Sequence, residues 1–407
     1  MHDPIVPLLI QLALLLGAAK VAGWVATRAG QPAVLGEIAI GIVLGNLSLL
    51  GFHGLDGMKT DPILAILATL GVILLLFEVG LQSTVEEMLQ VGPSSVLVAT
   101  LGVVAPFALG WLAGSWLLPE QSTLVHAFLG AVLTATSVGI TARVLKDLDR
   151  ANTLEAKIIL GAAVFDDVLG LVILAALTGI ISAANAGSAG ISALTVLWIS
   201  LKALGFLAAA ILLGHWLTPV LLRLASRVRV AGMLLTSGLV FCFLLAYLGT
   251  LAGLSPIVGA FAAGLVLETA HFEDFEESPD TSIESLLTPI STFLVPIFFV
   301  LTGVKVELRS FAHSEVVLLA LVLTLVAWIG KQVCSLGALE RGVNRLAIGL
   351  GMVPRGEVGL IFANVGAALT LGGQPVISPA TYSAVVLMVI VTTLVTPFAL
   401  AWSLKRG

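Results

Sequence analysis

Gly161-Ala162-Ala163-Val164-Phe165-Asp166-Asp167-Val168-Leu169-Gly170 sets two adjacent carboxylates in the middle of about 25 otherwise apolar residues. One ionised carboxylate at the centre of a membrane helix costs about 2.5 to 3.5 kcal/mol on insertion-based scales, so a pair requires partners, water or protons. Neighbouring helical residues point about 100° apart, so Asp166 and Asp167 face different surroundings, one a protein cation and the other an aqueous cavity. That division of labour points to a carrier site within a bundle of membrane helices.

The composition agrees. The 407 residues are 58% hydrophobic and only 11% charged, against roughly 25% charged in soluble domains. This is an all-α, polytopic membrane protein whose dominant solvent is the lipid bilayer. The net charge of -5 carries little information, and no basic tract or recognition motif points to nucleic acid. Cys242 and Cys334 lie in apolar runs without CxxC spacing and read as small core residues. The first apolar run begins at once, lacks a basic leader and a small-residue cleavage site, and reads as a retained span.

Windows of about 20 apolar residues divide the chain into thirteen spans, at approximately 4–27, 33–50, 63–81, 95–117, 123–145, 153–181, 190–217, 230–249, 254–268, 283–303, 315–338, 344–370 and 378–402. Read as one helix, 230–268 would be about 58 Å long against a hydrocarbon core of about 30 Å, so the chain is expected to turn back between Gly249 and Pro256. An N-terminus outside leaves Arg28, Arg143, Lys146, Arg150, Lys157, Arg223, Arg227, Arg229, Arg341, Arg345, Lys405 and Arg406 cytoplasmic, against Lys59, Lys305 and Arg309 outside. That bias gives a multi-pass protein with its N-terminus out and C-terminus in. The acidic stretch His271 to Glu277 reads as a solvated loop.

Thirteen spans divide into a first six-helix repeat at about 4–181, a linking helix at about 190–217 and a second, inverted repeat at about 230–402. The fifth and twelfth spans share a peculiarity. Leu133-Thr134-Ala135-Thr136-Ser137-Val138-Gly139 interrupts one, and Gly349-Leu350-Gly351-Met352-Val353-Pro354-Arg355-Gly356-Glu357 the other. Discontinuous helices at matching positions in two halves point to a midplane site, because freed carbonyls and half-helix ends meet ions there.

Few ionisable groups fall well inside spans: Glu37, Glu78, Asp166, Asp167, Lys331, Arg355 and Glu357. Lys20 and Lys202, nearer the ends, can snorkel to the interface. Lys331 lies mid-span and finds its natural partner in the aspartate pair, as an ion pair made and broken in each cycle rather than a static brace. Arg355 and Glu357 could pair with each other, satisfy freed backbone groups or extend an ion site. Glu37 and Glu78 read as helix braces or vestibule residues. The histidines lie near span ends or in loops, and Trp24, Trp116, Trp216 and Trp402 are interfacial anchors.

No phosphate loop, HExxH or GxSxG motif is present, which argues against ATP-driven transport and the commoner hydrolases. An intramembrane aspartyl protease needs its two carboxylates from separate segments, whereas these are neighbours. A cation channel would call for a repeated filter loop, and none appears.

Taken together, Pro32-Ala33-Val34-Leu35-Gly36-Glu37, Leu76-Phe77-Glu78-Val79-Gly80-Leu81, Thr134-Ala135-Thr136-Ser137, the segment 161–167, Gly253-Leu254-Ser255-Pro256, Lys331 and Pro354-Arg355-Gly356-Glu357-Val358-Gly359 resemble the bacterial monovalent cation/proton antiporter-2 family. That group includes NapA-like sodium/proton antiporters and the Kef potassium efflux systems. The resemblance implies an NhaA/NapA-like fold with crossed discontinuous helices, in the bacterial inner membrane. It also implies a homodimer with interleaved dimerisation and core subdomains, working by elevator-type alternating access. It makes Asp167 the essential cation and proton ligand, Asp166 the partner of Lys331, and Thr136, Ser137 and Glu357 contributors to the ion site, with Arg355, Glu78 and Glu37 in support. The transported Na⁺ would lie on Asp167 and Asp166, with no cofactor. Kef-type members tend to carry Gln-Asp where this chain has Asp166-Asp167 and append a nucleotide-binding domain beyond the point where this sequence stops at Gly407. That favours Na⁺(Li⁺)/H⁺ exchange, electrogenic because two acidic groups sit beside one lysine, over K⁺/H⁺ exchange.

Overall fold

A computed structural model of the chain describes residues 5–81, 92–137, 153–185, 232–252, 254–268 and 283–406, with single positions between 141 and 150 and between 198 and 230. The helices are α1 (Ile5–Arg28), α2 (Ala33–Gly45), α3 (Pro62–Leu81), α4 (Pro93–Leu117), α5 (Thr123–Val132), α6 (Leu154–Asn185), α7 (Met233–Leu251), α8 (Pro256–Glu268), α9 (Ile283–Val304), α10 (Ser314–Cys334), α11 (Arg345–Gly351), α12 (Gly356–Ala368) and α13 (Pro379–Arg406). Among the described residues eight helical segments are long and apolar enough to cross a membrane, and four shorter apolar helices accompany them.

Twelve of the thirteen expected spans therefore carry helix. The linking helix expected at 190–217 is described only at scattered positions, and the acidic stretch 271–277 and several of the basic residues expected on the cytoplasmic side, Arg143, Lys146 and Arg223 among them, lie outside the described residues. The turn expected between Gly249 and Pro256 separates α7 from α8. The second span is shorter than its hydropathy implies. Asn46 stops the helix by donating from Nδ2 to Ile42 O and Val306 O, at 2.8 Å each, and Leu47–Leu50 continues as a 3₁₀ turn.

Packing sorts the helices into two sets that alternate along the chain. In the first set, α2 and α3 pack on α9, α3 on α8, α8 on α7, and α1 on α2. In the second, α4 packs on α5, α6 and α10, while α13 packs on α10, α11 and α12. The first set is built on glycines. A Cβ on Gly41 would overlap the Val300 carbonyl, one on Gly303 the Ile38 carbonyl, and one on Gly80 the Phe261 carbonyl, so these backbones touch only because the side chains are missing. In lipid, where no hydrophobic difference drives helices together, that close backbone contact is what holds them.

The second set has such contacts too, at Gly130 against the Phe107 carbonyl and at Gly337 against Leu97, and at Gly330 the device aims a side chain. Gly330 of α10 lies against Pro106 of α4 so closely that a Cβ would sit 2.9 Å from the Pro106 Cα. The next residue is Lys331, and Gly102, about one turn before Pro106, covers its ammonium. Beyond α12 the strands Thr370–Leu371 and Gln374–Pro375 form a hairpin. Its turn residues Gly372 and Gly373 have φ of 60° and 82°, conformations that side chains resist. Asn185 at the end of α6 accepts the Gly372 N–H and ties the hairpin to the second set.

Candidate functional site

Two helices break, and their broken segments cross. After Val132 the chain leaves the helix, with the Thr134 hydroxyl donating to Ala131 O at 2.7 Å, a local bond that competes with helix continuation. After Gly351 the second break runs to Arg355. Pro354 has no N–H and biases Val353 away from helical dihedrals, and Gly356 restarts the helix at φ 38°.

The backbone groups released by one break are taken up by the other. The Ser137 N–H donates to Pro354 O at 2.7 Å. The Thr136 hydroxyl donates to Met352 O at 3.3 Å, and Thr141 donates to Gly351 O. Arg355 donates from one terminal nitrogen to Ala135 O at 2.6 Å and from the other to Ala327 O of α10 at 3.2 Å. Its guanidinium therefore satisfies the Ala135 carbonyl freed at the first break and also bonds a carbonyl within α10. Of the roles left open for Arg355, satisfying freed backbone is the one its hydrogen bonds display; Glu357 lies in the first turn of α12, and its side chain is outside the described residues.

The aspartate helix α6 runs beside this crossing. Lys331 Nζ donates to Asp166 Oδ1 at 2.9 Å and Oδ2 at 3.1 Å, with both side chains wholly inaccessible. The pairing inferred from charge alone is thus present, across 165 positions of sequence. Asp167, one residue on, is only half-buried, and so the two carboxylates do occupy different surroundings. Thr136 and Ser137 are buried at the crossing. Gly170, the next turn of α6, looks onto Thr134 and Phe362, which brings the aspartate helix against both broken segments.

Glu78 and Glu37 lie elsewhere. Glu78 of α3 accepts a short hydrogen bond from Ser291 of α9, and Glu37 is buried in α2 beside Gly23 of α1. Both belong to the first helix set. Three contributors escaped the sequence reading: Thr141, Gly102 over the ion pair, and the carbonyls of Ala135, Met352 and Pro354. The two interrupted spans signalled that carbonyls would be freed, but nothing in a glycine or alanine letter says which neighbour it meets.

Crossed broken helices beside a buried ion pair and a second, half-buried aspartate, inside a polytopic bundle, define a secondary active carrier. Residues 15–406 match the family described as sodium/hydrogen exchanger, transmembrane, and the chain belongs to that family. It is similar to the high-affinity Na(+)/H(+) antiporter NhaS3 of Synechocystis sp., 38% identical over 96% of this chain and 88% of that protein. It is also similar to the Na(+)/H(+)-K(+) antiporter GerN of Bacillus cereus, 36% identical over 95% and 94% of the two chains. Among solved structures, that of the sodium proton antiporter MjNhaP1 from Methanocaldococcus jannaschii matches with a TM-score of 0.73 at 18% identity, covering 98% of this chain and 97% of that one. At that identity the likeness speaks for the fold. The protein is an antiporter rather than an enzyme.

Proposed function

We propose that this antiporter exports Na⁺, and with it Li⁺, in exchange for protons at one site that binds cation and protons alternately. The observation that carries the reading is the doubly bonded Lys331–Asp166 pair beside the half-buried Asp167 at the helix crossing. Asp167 supplies the charged ligand and proton acceptor. Thr136 and Ser137 supply neutral oxygens; because the Thr136 hydroxyl spends its proton on Met352 O, its lone pairs are free to face a cation. Glu357 extends the site from the N-terminal turn of α12. A monovalent cation held by few charged ligands leaves readily, as a transported ion must.

Asp166 and Lys331 form the coupling element. Entry of Na⁺ displaces one proton from Asp167 and, as the pair breaks, a second from Lys331 or Asp166; both are taken up again when Na⁺ leaves, so a cycle carrying one Na⁺ out returns two protons. The net inward charge lets the membrane potential contribute. One charge crossing 100 mV is worth about 2.3 kcal/mol, enough for roughly a 50-fold Na⁺ gradient without a pH difference. The N-terminus lies outside and the C-terminus inside, in the bacterial inner membrane. The second helix set moves as the core subdomain against the first, which forms the dimerisation subdomain of a homodimer; the division of packing between the sets supports this elevator arrangement.

The relative from Bacillus cereus whose name includes K⁺ keeps K⁺/H⁺ exchange as the second reading. Exchange in proteoliposomes with Na⁺, Li⁺ and K⁺ side by side, with and without a potassium-valinomycin potential, separates the two. Asp167→Asn is expected to abolish exchange while leaving a folded protein; near-native Na⁺-driven proton flux in that variant would sink the assignment. A rate and final gradient indifferent to voltage would overturn the two-proton cycle.

A further inference from the structure

Away from the ion pair, the two helix sets are joined by a small polar cluster where α9, α12 and α13 meet. Asn364 of α12 donates from Nδ2 to the Thr302 hydroxyl of α9 at 3.1 Å and to Leu360 O in its own helix. The hydroxyl of Tyr382, from α13, lies 3.2 Å from both Thr302 O and Asn364 Oδ1, with one proton to serve the two. Lys305, just past α9, donates to Asn364 Oδ1 at 3.3 Å, and the Glu307 N–H donates to Ser383 Oγ at 2.9 Å. Thr302, Lys305 and Glu307 belong to the first set and its exit; Asn364, Tyr382 and Ser383 belong to the second.

This junction is chemically unlike the glycine seams within the first set. Those are dry contacts of glycine on carbonyl, which leave no room for water and no alternative partner. Here polar side chains of the two sets meet through hydrogen bonds, and cavities of about 390 Å³ and about 290 Å³ flank the cluster, both lined by Lys59, Lys305 and Asn364. Groups released at this junction would find water at once, so its bonds exchange at little cost. Asn364 also lies nine residues beyond Arg355 on the α12 path, about 13 Å along one helix from the crossing, so movement of the site is transmitted to it directly.

We propose that Thr302, Lys305, Asn364 and Tyr382 form a latch that holds the two sets together in the conformation described and opens once in each transport cycle. On the topology proposed above it lies on the outer side. The inference rests on the movement of one set against the other, and its test keeps the two ideas apart.

Lys305→Cys/Asn364→Cys, treated with a short bifunctional methanethiosulfonate, is expected to lose exchange on cross-linking and regain it on reduction. Either single variant keeps its rate in the same reagent, which also controls for the buried Cys242 and Cys334. Cross-linked protein, verified by mass spectrometry, that exchanges at the rate of the unlinked protein would overturn the latch. A second measurement needs no transport. In a Ser255→Cys background, where the reporter lines the larger cavity, Tyr382→Phe and Asn364→Ala should each raise the maleimide labelling rate roughly fivefold, the population change expected of one lost hydrogen bond. Unchanged labelling in both variants would also overturn it. A folded double-cysteine protein exchanging no cation before cross-linking would instead count against the transport reading, with the labelling still deciding the latch.

Discussion

Both helix sets hold together in lipid through glycine contacts, but only the second adds a buried cluster of charges and hydroxyls to them. In the first, unbroken helices approach until backbone meets backbone at Gly41, Gly80 and Gly303, and the half-buried Glu78 accepts a hydrogen bond from Ser291. In the second, two helices are broken, and Asp166, Lys331, Arg355, Thr136 and Ser137 are buried together around the breaks. A dry, glycine-packed set has one arrangement and resists change. A polar set whose charges could re-pair has more than one arrangement within reach, and that is the property a carrier needs. The contrast assigns scaffold to one region and chemistry to the other.

The sharpest test of the contrast is to break the ion pair from one side. Lys331→Met leaves the Asp166 carboxylate buried without its partner and should cost about 3 to 5 kcal/mol, read as thermal unfolding in detergent, together with loss of exchange. Asp166→Asn/Lys331→Met removes both charges and should recover most of the stability but none of the native coupling. A single variant as stable as the native protein would mean that the pair is not structurally committed at all.

A smaller effect is expected in the scaffold. Gly303→Ala places a methyl group against the Ile38 carbonyl and should destabilise by about 1 to 3 kcal/mol, while the molecules that do fold exchange at close to the native rate. Loss of exchange without loss of stability at this position would move part of the mechanism into the first set.

Smaller again, Thr136→Val removes one hydrogen bond to Met352 O and should cost about 1 kcal/mol. Its clearer signature is a weaker apparent affinity for Na⁺ in the exchange assay, since an oxygen at the crossing is lost as well. An unaltered affinity would take Thr136 out of the ion site. The control is Thr100→Ala on α4, where an exposed hydroxyl bonds only Val96 O of its own helix. It should change stability by no more than about 0.5 kcal/mol and exchange not at all.

Much of this was legible before any coordinates. Hydropathy placed the spans because a bilayer demands long apolar helices with every backbone group satisfied. The breaks at 133–139 and 349–357 were visible because Pro354, the clustered glycines and the successive hydroxyls are poor helix formers. The pairing of Lys331 with the aspartates followed from the cost of an uncompensated charge. What did not follow was the destination of Arg355. A guanidinium can answer a carboxylate or a carbonyl equally well, so the sequence leaves several roles open for a group that reaches Ala135 and Ala327.

By itself, then, the sequence determined that the chain spans a membrane many times, that two of those spans are interrupted, and that an acidic pair and a lysine are buried together. Each of these is a property of local composition weighed against the energy of a polar group in hydrocarbon, and neighbours in space need not be known. Only the tertiary structure decided which carbonyls the two breaks exchange, and where the helix sets meet in glycine contacts or in polar ones. Those outcomes depend on which residues 220 positions apart come within hydrogen-bonding distance. Gly330 shows the physical reason: its missing side chain lets α10 reach Pro106, and that approach sets the height at which Lys331 meets Asp166.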